Sequence, residues 1–443
     1  MAISRERNPR SRPSRNAGKA GKPAPSHPPQ GSKAAQGSKA AQGTKPRGPQ
    51  GSTPRGSPAS KAARSASAAS ARKGFHGPTT APGANVGTRP PPVPPRVRAP
   101  TLPAQPLLPR PGRFLWTCRA GFEPHLYEEL VWAQAAPRLV GEALIESDAR
   151  LGLAPAFART GFRVLEAWPE GTAAQPSVAT PALLAERIRR VLGSKPLALQ
   201  AFTPDTPAGN LRTAEAEALR AALEAELPAG QVLAEPERAR DAGGLLVSLC
   251  LAPGLLILGS VPAREALSLA PGGRQRMRRE ADAASRAAMK LEEALHALPL
   301  EPARGDVCVD LGAAPGGWTQ RLVARGARVI AVDPAKLLPE LARNPRVRHE
   351  QTSAFSYEPE EPVDWLFCDM AWRPLEVAQL LAKWGRRGWA DNLVANIKLP
   401  MDDKNPVLLR VRHTLVEDGG WLGLQMRQLY HDRDEVTVTA RRR

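Results

Sequence analysis

The chain has 443 residues and a formal net charge of +19, which is concentrated near its amino terminus. Residues 1–112 contain 20 Lys or Arg and one acidic residue, Glu6, whereas the remaining residues are neutral overall. No apolar segment reaches the ~18 residues that a membrane span needs. The first residues lack the apolar stretch of a secretory signal. The four cysteines are too scattered for a disulfide framework or a structural zinc site. The composition therefore predicts two or three domains in a reducing cytoplasm.

The basic segment 1–112 is expected to be a disordered tail. It holds 22 of the 47 prolines and repeated phrases such as GSKAAQGSKAAQGTK, with almost nothing that could form a core. Spaced cations suit a polyphosphate partner, because each neutralised phosphate releases counterions. Weak RNA association is favoured, and a purely solubilising extension is the alternative.

Residues 113–270 are predicted to form an α+β module. Strand patterns occur in RFLWTCRAG and PLALQAF, and helical patterns occur in EPHLYEELVWA, TPALLAERIRRVLG and TAEAEALRAALEAEL. Two apolar strands about a turn are indicated by GGLLVSLCLAPGLLILGSV. No catalytic cluster is visible in this region. A basic connector, GGRQRMRRE, follows it.

Residues 280–443 alternate between helical and strand patterns. The helices are ASRAAMKLEEALHAL, GWTQRLVARG, EVAQLLAKWGRRG and a segment near VLLRVRHTLVEDG; the strands are VCVDLG, RVIAVD, PVDWLFCDM, DNLVANIKLPM, WLGLQMRQLY and EVTVTARR. Such alternation predicts an α/β domain with a doubly wound, mainly parallel sheet, a Rossmann-like fold, with helices on both faces and an antiparallel edge strand.

The turn after VCVDLG is glycine-rich and predicts a nucleoside site. Gly312, Gly316 and Gly317 lie where ligands bind in such a sheet, and Asp333 ends the next strand, placed to accept hydrogen bonds from ribose hydroxyls. The spacing differs from the G-x-G-x-x-G of dinucleotide sites, and Pro315 removes a backbone donor that a pyrophosphate would use. An adenosine cofactor without phosphate fits best, namely S-adenosylmethionine, although glycines also serve tight turns for steric reasons alone.

Four further charged residues occupy suggestive positions. Asp369 and Lys398 close strands, Glu435 opens the last strand, and Lys290 lies on the helix that enters the domain. Each alone is explained by contact with solvent. Lys398 stands out, because it lies between the apolar phrases LVANI and LPM and a deep lysine is costly unless it is paired.

Taken in order, the motifs DLGAAPGGWTQ, SRAAMKLEEA, FCDM, NIKLP and RDEVTV resemble the FtsJ-like ribose 2′-O-methyltransferases. The resemblance is closer to the RlmM group, which methylates a cytidine of 23S ribosomal RNA, through SR-x-x-x-KLEEA, KLPM and RQLYHDR-x-EVTV. It covers the chain strongly from residue 280 and loosely before, where it implies a THUMP-containing RNA-binding region from about residue 113.

This resemblance implies a catalytic tetrad of Lys290, Asp369, Lys398 and Glu435, with Lys398 as the proton acceptor. Lysine has an ordinary pKa near 10.4, and we expect desolvation and the second cation, Lys290, to push Lys398 towards its neutral form while Asp369 opposes that shift. Glu435 would hold Lys290 or the ribose in place. Alignment of the hydroxyl behind the methyl group should supply much of the acceleration.

The resemblance also implies a cofactor site. Its residues are Ser285, Gly312, Ala314, Pro315, Gly316, Gly317, Trp318, Asp333, Ser353 and Asp369. The family has an acidic residue against the adenine, where this chain has Ser353 in RHEQTSAF; Glu350 is a substitute three positions away.

The expected function is therefore S-adenosylmethionine-dependent 2′-O-methylation of RNA, with 23S rRNA as the partner and no membrane or metal needed. A catalytically decayed RNA-binding or ribosome-assembly protein is the alternative. A small-molecule methyltransferase would not need a dedicated RNA module, and a nicotinamide dehydrogenase is opposed by the glycine spacing. The sequence leaves the oligomeric state open, with a monomer favoured, and it does not identify the nucleotide.

Overall fold

The computed structural model describes residues 92–171, 179–277, 287–298 and 301–442. Residues 1–91, and with them most of the predicted tail, lie outside this range, as does Ser285. The described residues belong to one compact unit and form two seven-stranded sheets, one in each predicted globular region. None of the helices in these ranges is long and apolar enough to cross a membrane. The four cysteines are free and buried.

The first region is an α+β module, as the sequence predicted. Its elements are β1 (Phe114–Thr117), α1 (Glu123–Trp132), β2 (Arg138–Gly141), β3 (Leu144–Ser147), β4 (Thr160–Pro169), α2 (Pro181–Leu192), β5 (Leu197–Phe202), α3 (Pro207–Asn210), α4 (Thr213–Glu226), α5 (Pro236–Asp241), β6 (Leu245–Ala252) and β7 (Leu255–Pro262). The sheet order is β2-β3-β1-β4-β7-β6-β5, with only β5 and β6 paired in parallel. The sequence analysis did not predict β2, β3 or β4. Strands β2 and β3 are short and largely buried, so they lack the alternation of polar and apolar residues that marks a half-exposed strand.

Local signals fix helix boundaries in this module. Thr180 precedes α2, and its side chain accepts a hydrogen bond from the Leu183 backbone N–H at 3.3 Å. Pro181 then occupies the first turn, where a missing N–H costs nothing, and Gly193 ends the helix with φ 61°. These are the residues that a helix start and stop require, so the sequence prediction of this helix was accurate.

Residues 92–112 contain no helix or strand but lie against the module, although the sequence assigned them to the tail. The Leu107 N–H donates to the Val140 carbonyl at 2.8 Å, and Arg110 donates through its backbone and its Nε to the buried carboxylate of Glu146. Prolines keep this segment extended, and an extended chain can run along a sheet edge and satisfy its polar groups there.

The second region contains α6 (Ala287–His296), β8 (Val307–Leu311), α7 (Gly317–Ala324), β9 (Arg328–Val332), α8 (Pro339–Ala342), β10 (Val347–Glu350), β11 (Val363–Cys368), α9 (Pro374–Arg387), β12 (Ala390–Lys398), α10 (Lys404–His413), β13 (Leu422–Arg427) and β14 (Glu435–Arg441). The sheet order is β10-β9-β8-β11-β12-β14-β13. The first five strands are parallel, and β14 runs antiparallel between β12 and β13. The predicted α/β fold is confirmed, but the antiparallel strand lies one position inside the edge.

Helices cover both faces of this sheet. On one face Leu291 of α6 and Trp318 of α7 pack with Cys308, whereas Val309, the next residue of β8, packs with Val377 of α9 on the other. The strand order reverses at β8, since β9 and β10 extend to one side and β11 and β12 to the other. The crevice beyond the carboxyl ends of β8 and β11 is therefore the expected ligand position.

The two regions contact each other directly. The Asn405 side chain at the start of α10 donates to the His125 carbonyl at 2.8 Å and to Glu128 Oε2 at 2.9 Å, both on α1. The Gln428 N–H after β13 donates to the Ala156 carbonyl at 2.7 Å. These hydrogen bonds fix the α+β module beside the sheet that carries the site.

Candidate active site

The glycine turn between β8 and α7 is sterically required. Gly312 has φ 79°, and a Cβ there would lie 2.7 Å from Met370 Cγ. Gly316 has φ 121°, and a Cβ there would collide with Leu341 Cδ1. An L side chain rarely adopts such φ values. Both glycines are therefore needed for the conformation of the turn and for its close packing against Met370 and Leu341.

Asp333 lies against this turn, as the sequence predicted. Its Oδ2 accepts a hydrogen bond from the Ala314 N–H at 3.1 Å and its Oδ1 accepts one from the Ala335 N–H at 2.8 Å. A carboxylate has about four acceptor positions, so two remain for hydroxyl donors. The site can therefore bind a ribose diol beside the turn.

Trp318, which the sequence places in the cofactor site, has its side chain in the core. The ring is buried, packs edge-on to Phe367 at 6.1 Å, and donates from Nε1 to the Ala287 carbonyl at 2.9 Å. Its side chain thus joins α6 to the core, and only its backbone, in the first turn of α7, faces the glycine turn. Sequence reasoning could not separate these roles, because an aromatic residue in a helix suits either one.

Asp310, which the sequence analysis did not single out, lies next to the glycine turn. It is buried in β8 directly below the turn, and Thr319 donates to its Oδ2 at 2.7 Å. Burial raises the pKa of Asp310 to about 7, against the effect of the Thr319 hydrogen bonds. A carboxyl group inside the apolar strand VCVDL was the available signal.

The four predicted tetrad residues come together at the carboxyl edge of the sheet. Lys398, at the end of β12, pairs in register with Glu435, at the start of β14, and Asp369 follows β11. Glu435 accepts hydrogen bonds from Lys398 and pairs with Lys290 of α6, while Lys398 Nζ lies 3.0 Å from Asp369 Oδ1. One carboxylate thus bridges two ammonium groups, and the second carboxylate holds Lys398 from the other side.

This arrangement contradicts the expected neutral Lys398. Burial lowers the pKa of Lys398, but Asp369 and Glu435 outweigh it and raise the pKa well above its ordinary value. Burial likewise raises the pKa of Glu435, and the hydrogen bonds from Lys290 and Lys398 outweigh it and lower that pKa. The sequence argument expected Lys290 to act on Lys398 as a second cation, whereas Glu435 lies between them. The resting site therefore holds Lys398 as an ammonium.

A buried hydrogen-bond chain supports Asp369 from behind. Asn396 Nδ2 donates to Asp369 Oδ1 at 3.4 Å, and Thr437 Oγ1 lies 2.8 Å from Asn396 Oδ1 and 2.9 Å from Asp432 Oδ2. A hydroxyl has one proton, so Thr437 can donate to only one of these oxygens. Burial, followed by the charge of Glu435, raises the pKa of Asp432 to about 8, and its Oδ1 has no hydrogen-bond partner among the described residues.

Protonated Asp432 resolves this conflict. With a proton on Oδ2, which also accepts from the Leu429 N–H at 2.9 Å, Asp432 would donate to Thr437 and Thr437 would donate to Asn396 Oδ1. The Asn396 amide would then be oriented to donate to Asp369. The chain has one direction only, and it fixes the carboxylate that holds Lys398. Asn396, Thr437 and Asp432 were not identified from sequence, since each is an ordinary polar residue in an apolar strand or turn.

The loops after β10 and β11 carry two exposed aromatic residues. Phe355 and Trp372 have ring centroids 5.7 Å apart. Ser353 is exposed and accepts from the Phe355 N–H at 3.3 Å, and the Glu350 carboxylate pairs with Arg348 at 2.9 Å. Between β10 and β11 lie β9 and β8. The aromatic contact therefore joins loops from either side of the glycine turn.

Comparison with known proteins agrees with this geometry. Residues 283–382 match the model of the FtsJ-like methyltransferase family. These residues form an FtsJ-like methyltransferase domain. The match includes Lys290, the glycine turn, Asp333 and Asp369, and it confirms the predictions of a Rossmann-like methyltransferase domain and of S-adenosylmethionine as its cofactor. Lys398 and Glu435 follow the matched segment in sequence and join its site through β12 and β14.

The chain is also similar to curated proteins named "Ribosomal RNA large subunit methyltransferase M". The chain is 48% identical to the protein of Halorhodospira halophila over 177 residues, which cover 39% of this chain and 51% of that protein. It is 41% identical to that of Teredinibacter turnerae over 209 residues, which cover 45% of this chain and 59% of that protein. The chain thus spans about half the length of these curated relatives.

Among solved structures, the chain is similar to a fibrillarin pre-rRNA processing protein of Methanococcus jannaschii. The two are 15% identical, over 44% of this chain and 81% of that one, with a TM-score of 0.28.

Proposed function

We propose that this chain is an S-adenosylmethionine-dependent RNA ribose 2′-O-methyltransferase that acts on a cytidine of 23S rRNA. The observation that carries the proposal is the meeting of Lys290, Asp369, Lys398 and Glu435 beside the Asp333 turn. The names of the curated relatives favour ribosomal RNA of the large subunit as the substrate. Residues 113–270 then serve as an RNA-binding region of the THUMP kind.

The residues around the glycine turn hold and orient the cofactor. Asp333 would accept hydrogen bonds from the ribose hydroxyls, and the first turn of α7 would offer backbone N–H groups to the carboxylate of the amino-acid portion. S-adenosylmethionine supplies a methyl group already activated by its sulfonium charge. The protein therefore needs chiefly to align a ribose hydroxyl behind that methyl group and to remove the hydroxyl proton.

Lys398 carries the proton transfer as a relay. Because it rests as an ammonium, it has no free electron pair until it gives up a proton. As the new C–O bond forms and the bond between the methyl carbon and sulfur breaks, leaving S-adenosylhomocysteine, Lys398 would pass one of its protons to Asp369 or Glu435 and take the hydroxyl proton in its place. The ribose oxygen thus loses one proton and a carboxylate gains one, so no base outside the tetrad is needed. Lys398 remains the immediate proton acceptor.

Phe355 and Trp372 would supply an adenine contact beside Ser353. Stacking of a base on an aromatic ring is largely indifferent to the hydrogen-bonding edge of the base, so an acidic partner is not required. Trp372→Ala is expected to weaken S-adenosylhomocysteine binding roughly five- to twentyfold. Calorimetric titration measures this affinity. An unchanged value would show that the adenine does not stack on Phe355 or Trp372.

The test of the function uses labelled S-adenosylmethionine and deproteinised large-subunit rRNA that lacks the modification. Wild type should label one position that resists alkaline cleavage, since a 2′-O-methyl group blocks attack on the neighbouring phosphate. Lys398→Ala should lower the rate by roughly 10²- to 10⁴-fold with unchanged S-adenosylhomocysteine affinity.

The catalytically decayed alternative predicts a different result. It expects rRNA binding and no transferred label with any RNA under any condition. The complete ionic tetrad speaks against it, because decay would leave at least one of these buried charges without a partner.

A further inference from the structure

A cleft opens beside the tetrad, between the α+β module and the methyltransferase domain. It has a volume of about 310 Å³, and its lining includes Arg119, Arg159, Asp205, Tyr430, His431 and Arg433. Three of these residues come from the module and three from the segment that joins β13 to β14. The cleft therefore exists only where the two regions meet.

Arg159 is a buried cation with spare hydrogen-bonding capacity. Its side chain is 2% exposed, and its Nη1 lies 2.9 Å from Asp205 Oδ2. Its Nε is buried, and no described residue accepts a hydrogen bond from it. Buried donors are nearly always satisfied, and a guanidinium prefers an anion. This unsatisfied donor in the wall of an open cleft points to an anionic ligand.

The rest of the lining suits a nucleotide. Arg119 and the exposed Arg433 add two positive charges, whereas the acidic residues in the lining are Asp205 and Asp432. Burial raises the pKa of Asp432 to about 8. Tyr430 adds an aromatic ring, with the Arg159 guanidinium 5.1 Å from its centroid. Arginines beside an aromatic ring bind phosphate and base together.

The cleft is coupled to the tetrad by direct contacts. The Tyr430 and His431 N–H groups donate to Glu293 at 2.7 and 3.0 Å, and Glu293 follows Lys290 by three positions on α6. Arg119 Nη1 donates to the Asp432 carbonyl at 3.2 Å. Asp432 in turn begins the hydrogen-bond chain that reaches Asp369. The cleft and the catalytic groups thus share one rigid segment.

We propose that this cleft binds the nucleotide next to the methylated one, with its phosphate at Arg119, Arg159 and Arg433 and its base stacked on Tyr430. The volume is near the lower end of ligand pockets, ~300 Å³, which suits a single nucleotide rather than a duplex. This inference rests on the proposed function, since the methylated ribose defines which nucleotide is its neighbour. The segment before β14 then also positions the RNA strand so that the reacting hydroxyl reaches Lys398.

The experiment is a double-mutant cycle in which one change is made in the protein and the other in the RNA. Once the methylated position is mapped, two substrate RNAs are made, each with an abasic residue on one side of it. Tyr430→Leu should lower kcat/KM on intact RNA by roughly 5- to 100-fold, and one abasic RNA should lower wild-type kcat/KM by a similar factor. The variant and that RNA combined should show little further loss, because both remove the same stacking contact.

Arg433→Gln tests the phosphate contact. It should weaken RNA binding by roughly tenfold and reduce the slope of log affinity against log salt by about 0.7. Arg304→Gln is the matched control. Arg304 is exposed and lies just before β8, at the amino-terminal ends of the parallel strands. Every variant should bind S-adenosylhomocysteine like wild type, which establishes that it is folded.

Two outcomes overturn the proposal. If the effects of Tyr430→Leu and of both abasic RNAs simply multiply, no flanking base stacks on Tyr430. If Arg433→Gln leaves the salt slope at the wild-type value, the phosphate does not lie in the cleft. A failure of the proposed function is recognised separately, because wild type then transfers no label to any RNA while the direct binding measurements still report on the cleft.

Discussion

Lys398 and Glu435 face each other across the antiparallel strand pair β12–β14, in register and joined by a hydrogen bond. They are 37 positions apart in sequence, and β14 reaches β12 only because it inserts inside the edge strand β13. Glu435 also pairs with Lys290 of α6. Glu435 therefore contacts both lysines of the tetrad, and together with Asp369 it raises the pKa of Lys398.

Replacing this carboxylate should slow the reaction strongly. Glu435→Gln leaves one amide oxygen where two oxygens now serve two lysines, so Lys290 or Lys398 loses its partner. We expect kcat to fall by roughly 10²-fold, with S-adenosylhomocysteine affinity unchanged in calorimetry. Glu417→Gln, at an exposed glutamate after α10, should be neutral. Full activity of Glu435→Gln would remove Glu435 from the proton path.

The dependence of kcat on pH distinguishes a relay from a neutral lysine base. The pKa of Lys398 is raised and that of Glu435 is lowered, so both keep their charge at neutral pH. The relay therefore predicts a flat kcat from about pH 6 to about pH 9 and a fall on the acid side as Glu435 gains a proton. A neutral Lys398 base instead predicts a tenfold rise per pH unit across this range. Saturating substrates are needed, since RNA binding also varies with pH.

Asp333 should control cofactor affinity. Asp333→Asn keeps an oxygen for the Ala314 N–H but removes the charge, and hydrogen bonds to a charged group contribute about 1.5–3 kcal/mol. We expect a roughly 10- to 100-fold weaker S-adenosylhomocysteine affinity. Asp364→Asn is the matched control, because Asp364 binds the Val307 N–H at the opposite edge of the sheet. Equal effects of the two substitutions would indicate a general loss of fold.

Protonated Asp432 makes stability depend on pH in a defined direction. Its pKa is raised from 3.8 to about 8 in the folded protein, so its contribution is complete below pH 3.8 and is lost as pH rises towards 8. Between these values the native state holds one proton more than the unfolded state. Its share of the free energy of unfolding therefore falls by up to about 1.4 kcal/mol per pH unit. The other charges near it are Glu435 and Lys290.

Asp432→Asn should remove this dependence. An amide also donates to Thr437 but does not titrate, so the difference in unfolding free energy between wild type and variant should change steadily from pH 5 to pH 8. Denaturant titrations at several pH values measure it. A constant difference would mean that Asp432 is ionised when folded. The pH dependence of kcat can also be measured in this variant, in which residue 432 does not titrate.

The amino-terminal boundary gives a prediction about truncation. Deleting residues 1–91 should leave the melting temperature unchanged and flatten the salt dependence of RNA binding, if the basic tail contacts phosphate. Deleting residues 1–112 should also lower stability, because it removes the contacts of Leu107 and Arg110 with the module. Thermal denaturation of both truncations tests this. Equal melting temperatures would show that residues 92–112 contribute nothing to the fold.

The sequence by itself determined the methyltransferase sheet and indicated which residues meet at the candidate site. The alternation of apolar strands and amphipathic helices, the glycine turn and the spacing to Asp333 are local patterns, and the polar residues at strand ends must meet at one edge of a parallel sheet. The tertiary structure alone decided the protonation of Lys398, because it depends on which charges lie within hydrogen-bond distance. It also decided the Asp432–Thr437–Asn396 chain and the Arg159–Tyr430 cleft, since these join strands and regions whose contact no local pattern records.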